Sequence, residues 1–451
     1  MRKIVLLAVI GALLCGVAGT SVRADDWPQW LGPKRDGVWR ETGIVDKFPA
    51  DGPKVRWRTS IGAGFAGPAV AEGKVYLIDR VLAEGAKLPA SPFDTRNAIP
   101  GKERVLALSE DDGRILWTYE YECPYKVSYA SGPRATPLVA GGKVYTLGTE
   151  GNLVCLDATS GKVQWAHELK KDYGAKTPYW GFSAHPLLDG QKLICMVGGK
   201  GTTVAAFDKD SGKEMWRALS AKQPGYCPPM IYEAGGQRQL VVWDSEAVHG
   251  MNPETGSVYW TQPLDSYSGM SISTPRKEGD ELFLTGYDGH SLMLRLDPQK
   301  PAAAVVWQGT KKKGMSSVFS TPFFEGGYIY GNNAGKDDSL VCIKAETGEI
   351  LWQTKKPNKD AAAPSGDTFI VKNGDRFFLF AEQGDLIIAN LSPKGYEEIS
   401  RAHVLEPTTA VSGGPLKNRI VVWSHPAFAN KCIFARNDKE IVCVSLAAER
   451  N

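Results

Sequence analysis

A small set of polar and aromatic side chains could carry chemistry in this chain of 451 residues. His185 and Arg134 each lie shortly before an apolar stretch that is marked by proline. A histidine near a guanidinium could bind an anion, although a single histidine more often serves as an ordinary hydrogen-bonding group. Four aromatic residues occupy similar polar segments: Tyr129, Tyr179, Trp180 and Tyr226. Because large rings in loops are typical of binding surfaces, we predict that these six residues contribute to one.

The familiar motifs of catalysis are missing from the sequence. It contains no P-loop, no H-E-x-x-H, no G-x-S-x-G, no EF-hand loop and no C-x-x-C. Four acidic residues lie where turns are expected and could bind calcium, although carboxylates are also common turn formers: Glu150, Asp244, Asp288 and Glu382. The sequence therefore predicts no catalytic residue, no cofactor-binding residue and no metal site. It favours a protein that is not an enzyme.

The elements that must position these residues form a repeat. Six segments end in tryptophan, and five of them share an apolar strand, a polar turn that contains glycine, and a second short strand. One example is L-V-C-L-D-A-T-S-G-K-V-Q-W, which ends at Trp165. Alternation of apolar and polar residues predicts half-buried strands, and the glycine supplies the positive φ of the turn.

Two further strands precede each of these units, as in T-P-L-V-A-G-G-K-V-Y-T-L from Thr136. Four antiparallel strands in each repeat are the composition of one propeller blade. The recurring tryptophans are spaced by 44 to 60 residues, and we expect them to pack between neighbouring blades. These structural anchors are Trp57, Trp117, Trp165, Trp216, Trp260, Trp307 and Trp352.

The spacing also predicts the number of blades. The chain continues for 99 residues after Trp352, which leaves room for two more repeats, at Asp367–Arg401 and Thr408–Leu446. Since no complete blade precedes Trp57, its strand should complete the last blade and close the ring, which removes the exposed sheet edges. The sequence therefore predicts an all-β, eight-bladed propeller with four-stranded antiparallel blades over residues 54–451.

Residues 1–24 have the features of a signal peptide: a basic start, an apolar run from Ile4 to Leu14, and small residues up to Ala24. We expect cleavage near Ala24 and a lead-in segment over residues 25–53. The alternatives are an uncleaved membrane anchor and a lipid on Cys15. The mature chain is expected to be periplasmic or secreted, with no transmembrane segment.

Loss of the signal peptide would leave a balanced charge. Arg2, Lys3 and Arg23 would be removed from the 53 basic residues, which leaves 50 against 50 acidic residues. This balance argues against a nucleic-acid partner, because such proteins usually show a basic excess. Seven cysteines follow Ala24. An odd number cannot pair completely, and we expect these thiols to be mainly small buried hydrophobes.

The blade geometry predicts which face of the ring binds. In a blade with strands A to D, the B–C turns and the D–A connections lie on one face, and the A–B and C–D turns lie on the other. The D–A connections are long and aromatic, with Tyr125 and Phe182 beside the four rings named above, and the first B–C connection carries an insertion near residues 81–103. We expect this face to bind the partner, with His185 and Arg134 near the mouth of the central channel.

The repeats resemble those of the PQQ-like β-propeller family, most closely at L-D-A-T-S-G-K-V-Q-W, Leu156–Trp165. The segment W-P-Q-W-L-G-P-K-R-D-G, Trp27–Gly37, also resembles the start of secreted bacterial members. Resemblance to the BamB-type branch implies a non-catalytic scaffold that binds a protein or polysaccharide in the cell envelope. Resemblance to the quinone-dependent branch implies, as the alternative, an alcohol or sugar dehydrogenase that holds PQQ and calcium. The adjacent cysteine pair common in that branch is missing here, which favours the scaffold.

Overall fold

Eight four-stranded antiparallel sheets surround a central axis in this computed structural model, which describes residues 25–310, 312–334, 339–358, 366–411 and 419–449. The prediction of an all-β, eight-bladed propeller is confirmed. Each sheet is one blade, and its strands A to D run from the axis outward. The D–A connections and B–C turns form what we call the loop face, and the A–B and C–D turns form the turn face.

The first strand, β1 (Val55–Ser60), precedes blade 1, which contains β2 (Ala69–Ala71), β3 (Lys74–Leu82), β4 (Gly101–Ser109) and β5 (Ile115–Glu122). Blade 2 contains β6 (Leu138–Ala140), β7 (Lys143–Leu147), β8 (Asn152–Asp157) and β9 (Val163–Glu168). Blade 3 contains β10 (Leu187–Asp189), β11 (Lys192–Met196), β12 (Val204–Asp208) and β13 (Glu214–Ala218). Blade 4 contains β14 (Met230–Ala234), β15 (Gln237–Trp243), β16 (Ala247–Met251) and β17 (Val258–Pro263).

Blade 5 contains β18 (Arg276–Glu278), β19 (Glu281–Thr285), β20 (Ser291–Leu296) and β21 (Ala303–Gln308). Blade 6 contains β22 (Phe323–Glu325), β23 (Tyr328–Asn333), β24 (Ser339–Lys344) and β25 (Ile350–Thr354). Blade 7 contains β26 (Thr368–Asn373), β27 (Arg376–Ala381), β28 (Asp385–Ser392) and β29 (Gly395–His403). The loops contain the helix α1 (Leu169–Tyr173) and two single 3₁₀ turns, Tyr267–Gly269 and Lys356–Asn358.

The last repeat departs in part from the sequence prediction. Blade 8 takes only β32 (Ala427–Ala429), β33 (Cys432–Arg436) and β34 (Glu440–Ser445) from the stretch 408–446, and β1 is its fourth strand. The earlier part of that stretch forms a separate hairpin of β30 (Thr409–Val411) and β31 (Arg419–Val421). Because β1 comes from the other end of the chain, this pairing closes the ring as predicted.

Most of the recurring tryptophans pack against a turn glycine of the next blade. The indole N–H of Trp117 donates to the carbonyl of Ala158 in the C–D turn of the next blade, at 3.1 Å. A Cβ on Gly161 of that turn would lie 2.6 Å from the Trp117 ring. Glycine is therefore required there by the ring as well as by its φ of 70°. The same contact joins Trp57 to Gly113, Trp165 to Gly212, Trp216 to Gly256, and Trp307 to Gly348.

Two anchors depart from this pattern. Trp352 donates to the carbonyl of Ser392 in the next C–D turn at 2.8 Å but does not contact its glycine, and Trp260 departs further. The next C–D turn, in blade 5, has the sequence D-P-Q-K-P and carries no glycine. The Trp260 ring instead packs over Gly250 of its own blade, where a Cβ would lie 2.1 Å from the indole. Its N–H donates to the side chain of Gln239 at 2.7 Å. A degenerate turn in one blade thus changes the conformation of a tryptophan in the blade before it.

A buried arginine holds the closure between blade 8 and blade 1. Arg436 donates to the carbonyls of Ile78 at 3.0 Å and of Gly62 at 2.6 Å. Ile78 lies in β3, and Gly62 follows β1, so one guanidinium links three parts of the ring. Burial lowers the pKa of Arg436. The paired carbonyls compensate for the cost of burying the charge.

Residues 25–48 form a segment that we call the plug. Its first part enters the central channel, and its last part passes outward along blades 8 and 7, where the N–H of Phe48 donates to Ser400 of β29 at 3.0 Å. Trp27 exchanges backbone hydrogen bonds with Val70 of β2, at 2.8 and 2.9 Å. Further along the plug, the backbone N–H of Trp39 donates to the carbonyl of Lys372 in β26, and the side chain of Glu41 accepts from the backbone N–H of Lys431. These contacts of Trp27, Trp39 and Glu41 are with inner strands or A–B turns, so the plug approaches the channel from the turn face.

The tip of the plug reaches the residues at or just before the inner strands of two different blades. Arg35 is buried and donates to the carbonyl of Pro186 at 2.8 Å. The indole N–H of Trp30 donates to the hydroxyl of Thr274 at 2.8 Å. Arg276 in turn donates to the carbonyl of Asp36 at 2.6 Å. Since blades 3 and 5 are held by one short tip, the plug blocks passage through the channel from the turn face.

Candidate binding surface

Seven aromatic rings form a continuous row across the loop face, and we call this row the aromatic ridge. Its members in spatial order are Tyr226, Trp180, Tyr179, Phe93, Tyr129, Trp423 and Phe319. They belong to six different connections, which only the closed ring brings together. Phe319 and Trp423 stack with centroids 4.2 Å apart, and the other ring pairs are 4.9 to 5.9 Å apart. The contact between Tyr179 and Phe93 is the hydroxyl of the tyrosine on the phenylalanine carbonyl, at 3.4 Å.

Three rings of the ridge remain substantially exposed to solvent. The exposed fractions are 44% for Phe93, 40% for Tyr179 and 37% for Phe319. Isolated exposed aromatic residues are ordinary, but a row of touching rings on loops of a rigid scaffold is typical of a binding surface. Aromatic rings also lose little conformational entropy when they are covered, because they have only two side-chain torsions.

Tyr129 lies at the centre of the ridge and is held by Arg134. Its backbone adopts a φ of 52°, which is uncommon for a residue other than glycine. The guanidinium of Arg134 donates to the carbonyls of Ser128 at 2.8 Å and of Tyr129 at 2.6 Å. It also donates to the carbonyl of Gly132. Burial lowers the pKa of Arg134, and its donors are largely committed to this loop.

The insertion in the first B–C connection reaches this centre. The carbonyl of Pro92 accepts from the backbone N–H of Tyr129 at 2.9 Å and from the hydroxyl of Ser128 at 3.0 Å. Phe93 then packs edge-on against Tyr129, with centroids 5.4 Å apart. The insertion thus supplies one exposed ring and fixes the loop that carries the next. A ridge held by such hydrogen bonds is organised before it meets a partner.

A buried carboxylate supports the same loops from below. Glu103, at the outer end of the insertion, is fully buried and accepts from the hydroxyls of Tyr121 and Tyr125. It also accepts from the backbone N–H of Thr149 at 2.9 Å. Arg80 lies over the ring of Tyr125, with its guanidinium carbon 3.9 Å from the centroid. Tyr125 is therefore part of the support for the ridge and not part of its surface.

His185 lies deeper, where the channel meets the plug. It stacks on Trp30 with centroids 4.0 Å apart and an angle of 11° between the rings. Its Nδ1 accepts from the backbone N–H of Thr136 at 2.8 Å. Burial, followed by the charge of Arg35, lowers the pKa of His185. His425 packs on the other side of Trp30, and burial lowers its pKa to about 4. Both histidines are therefore neutral near pH 7 and pack against the plug.

A buried ion pair lies beside the channel end of the ridge. Glu382 is fully buried and forms an ion pair with Arg419 of the β30–β31 hairpin. The same carboxylate faces the indole N–H of Trp423 at 3.4 Å and the backbone N–H of Asp367 at 3.3 Å. This arrangement ties the separate hairpin to blade 7. It also fixes the ring of Trp423 against Phe319.

The described residues of the loop face do not form a ready-made site for a quinone with calcium. Three of the acidic turn residues already have close partners: Glu382 pairs with Arg419, Glu150 with Lys170, and Asp244 with His249. Within the part of the chain that the structure describes, no group of three histidine, cysteine or acidic residues could hold a metal ion. Calcium requires six to eight oxygen ligands. Phe319 and Trp423 stack directly on each other, which leaves no gap for a planar ring between them.

The structure brings together only some of the six residues proposed from the sequence. Tyr129, Tyr179, Trp180 and Tyr226 all lie on the ridge. Arg134 positions Tyr129 from within, and His185 contacts the plug. Sequence reasoning missed Phe93, Phe319 and Trp423. Trp423 falls outside the tryptophan period, which is a signal that could have been used, whereas nothing in the sequence distinguishes the other two rings.

The family follows from a comparison with known proteins. A family model described as "Outer membrane protein assembly factor BamB" matches residues 47–206, 200–314 and 300–451. The chain belongs to the BamB family of PQQ-like β-propellers. Its matches begin at the last two residues of the plug and include every strand of the eight blades. Among the described residues, this BamB-family chain has no helix long and apolar enough to cross a membrane.

Individual relatives are more distant. BamB of Salmonella typhimurium is 27% identical over 215 residues, which are 46% of this chain and 48% of that protein, so the chain spans about half the length of the curated relatives it matches. Quinohemoprotein alcohol dehydrogenase ADH-IIG of Pseudomonas putida is 27% identical over 251 residues, or 51% of this chain and 33% of that protein. The structure of quinohemoprotein alcohol dehydrogenase from Comamonas testosteroni aligns with a TM-score of 0.60 at 12% identity, covering 94% of this chain and 81% of that one. That likeness shows the shared fold alone.

Proposed function

We propose that this BamB-family propeller is an exported, non-catalytic scaffold that binds a protein partner in the cell envelope through its aromatic ridge. The observation that carries the proposal is the row of seven aromatic residues from Tyr226 to Phe319, in which a hydroxyl–carbonyl contact joins Tyr179 to Phe93 and ring contacts join the rest. Family membership supports a protein partner, because the matching description is that of an assembly factor. The signal peptide expected over residues 1–24, which lie outside the described part of the chain, supports export.

The geometry favours recognition of a surface over catalysis. The polar groups near the ridge are engaged in holding loops, as Arg134 and Glu103 show. Rings that are rigidly held and partly exposed contribute apolar area at little entropic cost, which is how interface hot spots act. The ridge lies on the loop face, and the plug enters the channel from the turn face. A partner would therefore approach from the loop face.

Site-specific photocrosslinking tests this proposal. A benzoylphenylalanine at Tyr179 should yield an adduct with a defined envelope protein, and the added substitution Trp180→Ala should abolish it. The matched control is the same probe at Val163, which lies on the outer strand β9 and is 44% exposed. Equal labelling at both positions, or no protein adduct at Tyr179, would refute the proposal. Binding to immobilised polysaccharide that the same substitution removes would instead identify a sugar polymer as the partner.

The second candidate, a PQQ-dependent dehydrogenase, is favoured only by distant sequence similarity to such enzymes. A titration with PQQ and calcium, in which the thermal midpoint of unfolding is measured, distinguishes this candidate from the scaffold. A true ligand at 100 times its dissociation constant stabilises a folded protein by about 2.7 kcal/mol. Because the described residues of the loop face form no ready-made site for the cofactor, we expect no saturable shift. A saturable rise in the midpoint would contradict the scaffold proposal and justify a search for alcohol or sugar oxidation.

A further inference from the structure

Two cysteines of blade 8 lie on the same face of neighbouring strands. Cys432 is the first residue of β33, and Cys443 lies within β34. The register pairs Cys432 with Ser445 and Phe434 with Cys443, so the two cysteines are diagonal neighbours. Diagonal side chains of an antiparallel pair are within reach of each other. Both thiols are free in this structure.

This pair is specific to the blade that closes the ring. Cys155 and Cys342 occupy the strand-C position of Cys443, and each faces a tyrosine on strand B. The strand-B position of Cys432 is the first residue after the A–B turn. In the other seven blades it is occupied by longer polar residues: Lys74, Lys143, Lys192, Gln237, Glu281, Tyr328 and Arg376. Replacement of a long surface residue by cysteine creates the second thiol of the pair.

The strand that closes the ring adds a positive charge to this pair. Arg56 occupies the bulge of β1, where the register shifts between Val55 and Trp57. Its guanidinium donates to the sulfur of Cys432 at 3.6 Å. The neighbouring thiol of Cys443, and then the guanidinium of Arg56, lower the pKa of Cys432 against the effect of burial, while the pKa of Cys443 is raised. The thiolate is the reactive form of cysteine, so Cys432 is the nucleophile of the pair.

The cover over both sulfurs comes from the N-terminal part of the chain. In the closed ring Cys432 is 2% exposed and Cys443 is fully buried. Arg56 belongs to β1, and Glu41 of the plug accepts from the adjacent backbone N–H of Lys431 at 2.9 Å. Neither segment covers the β33–β34 hairpin until the ring closes. The pair is therefore accessible to a reagent during folding and whenever β1 detaches.

We propose that Cys432 and Cys443 are a redox-active pair, which a disulfide-containing oxidant converts into a cross-strand disulfide. The Cys432 thiolate attacks one sulfur of the oxidant, which forms a mixed disulfide and releases the first thiol. The thiol of Cys443 then loses its proton and displaces the second oxidant sulfur as another thiol. The protein loses two hydrogen atoms and the oxidant becomes two thiols. Diagonal neighbours of an antiparallel pair are usually farther apart than the Cβ separation of about 3.8 Å in a disulfide. The bond is therefore strained and easily reduced.

Peptide mapping tests this inference directly, because trypsin cuts after Lys431, just before the first cysteine, and after Arg436 and Lys439, between the two cysteines. The full chain is incubated with oxidised glutathione at a denaturant concentration below the unfolding midpoint, alkylated, and digested without reductant. We expect a linked pair of peptides 432–436 and 440–450, lighter by two hydrogen atoms than the sum of the free peptides. Reduced glutathione should return both peptides to the alkylated form.

Two variants control this experiment. Cys155→Ala removes a buried thiol from the equivalent position of blade 2 and should leave the linked peptides unchanged. Cys443→Ala should instead accumulate a glutathione adduct on Cys432. The wild-type chain should also be oxidised during refolding. If both peptides are still alkylated separately after either treatment, the inference is overturned. This readout is independent of any partner, so its failure would leave the proposed scaffold function untouched.

Discussion

The two faces of this propeller use aromatic residues in opposite ways. On the turn face and in the channel, rings of the plug are buried and donate to protein groups: Trp39 is 1% exposed, and its N–H bonds the side chain of Glu41 at 2.7 Å. On the loop face, the rings of the ridge contact one another. Tyr179 remains 40% exposed, whereas Tyr226 and Trp423 are buried. The difference teaches that burial of the ring and a partner for its polar group distinguish an aromatic residue that maintains the fold from one that is available to bind.

The largest expected effect comes from breaking the plug. Trp39→Ala removes a ring that packs against Phe378 and Phe428, with centroids 5.4 and 5.3 Å away, and leaves the buried carboxylate of Glu41 without one donor. We expect the free energy of unfolding to fall by about 3–5 kcal/mol. Denaturant titration with a folded-state probe measures it. A loss as small as that caused by Tyr179→Ala on the ridge would contradict the contrast between the two faces.

The plug should also make stability dependent on pH. The pKa of His425 is lowered to about 4 by burial, whereas an unfolded histidine has a pKa near 6.5. The unfolded chain therefore binds more protons between these values, so stability is complete above pH 6.5 and falls as the pH drops toward 4. The loss from this group is about 3 kcal/mol. Thermal midpoints measured from pH 7 to 4 test this expectation, and His425→Asn should make the decline shallower. An unchanged slope in that variant would show that other groups cause the decline.

Replacing one glycine on each face by alanine compares how tightly the backbone is packed on the two faces. Gly161 on the turn face has a φ of 70°, and an added Cβ would lie 2.6 Å from Trp117. Gly174 on the loop face has a φ of 63°, with nothing within 4 Å of an added Cβ. Gly174→Ala should cost only the backbone strain, about 1 kcal/mol, whereas Gly161→Ala should cost about 2–3 kcal/mol. Equal values from denaturant titration would show that the tryptophan ring yields easily.

The smallest effect on stability is expected on the ridge. Tyr179→Ala combined with Trp180→Ala removes rings that contact each other, with centroids 4.9 Å apart, and should lower the free energy of unfolding by only about 1 kcal/mol. The same double variant should lose the crosslink to the envelope partner. Circular dichroism and a melting curve establish that the chain is folded. If the double variant unfolds, these residues belong to the core and the binding face lies elsewhere.

The sequence predicted the fold in detail for physical reasons. The period of the apolar residues, the turn glycines and the recurring tryptophans each restrict the local backbone, and they recur together. Closure by β1 followed from the absence of a complete blade before Trp57. The hairpin at residues 409–421 was not predicted, because its short apolar strands have the same pattern as those of a blade.

The candidate site was predicted less completely. Tyr129, Tyr179, Trp180 and Tyr226 could be found because they lie in long aromatic connections. Phe182 lies in the same kind of connection but is buried against Gly151, which no local pattern reveals. Phe93 and Phe319 join the ridge from connections that are 226 residues apart. Arg134 is a positioning residue because of the path of its own loop, which depends on the neighbouring blades.

The sequence by itself determined the strands, the number of blades and the turns, because these depend on residue types at short and regular spacing. Only the tertiary structure decided that the first part of residues 25–48 enters the channel, that seven rings form one ridge, and that Cys432 meets Cys443 beneath Arg56. Those arrangements join segments that are far apart in the chain. They arise when the ring closes, because only then do the two ends of the chain share one blade and the loops of opposite blades face each other.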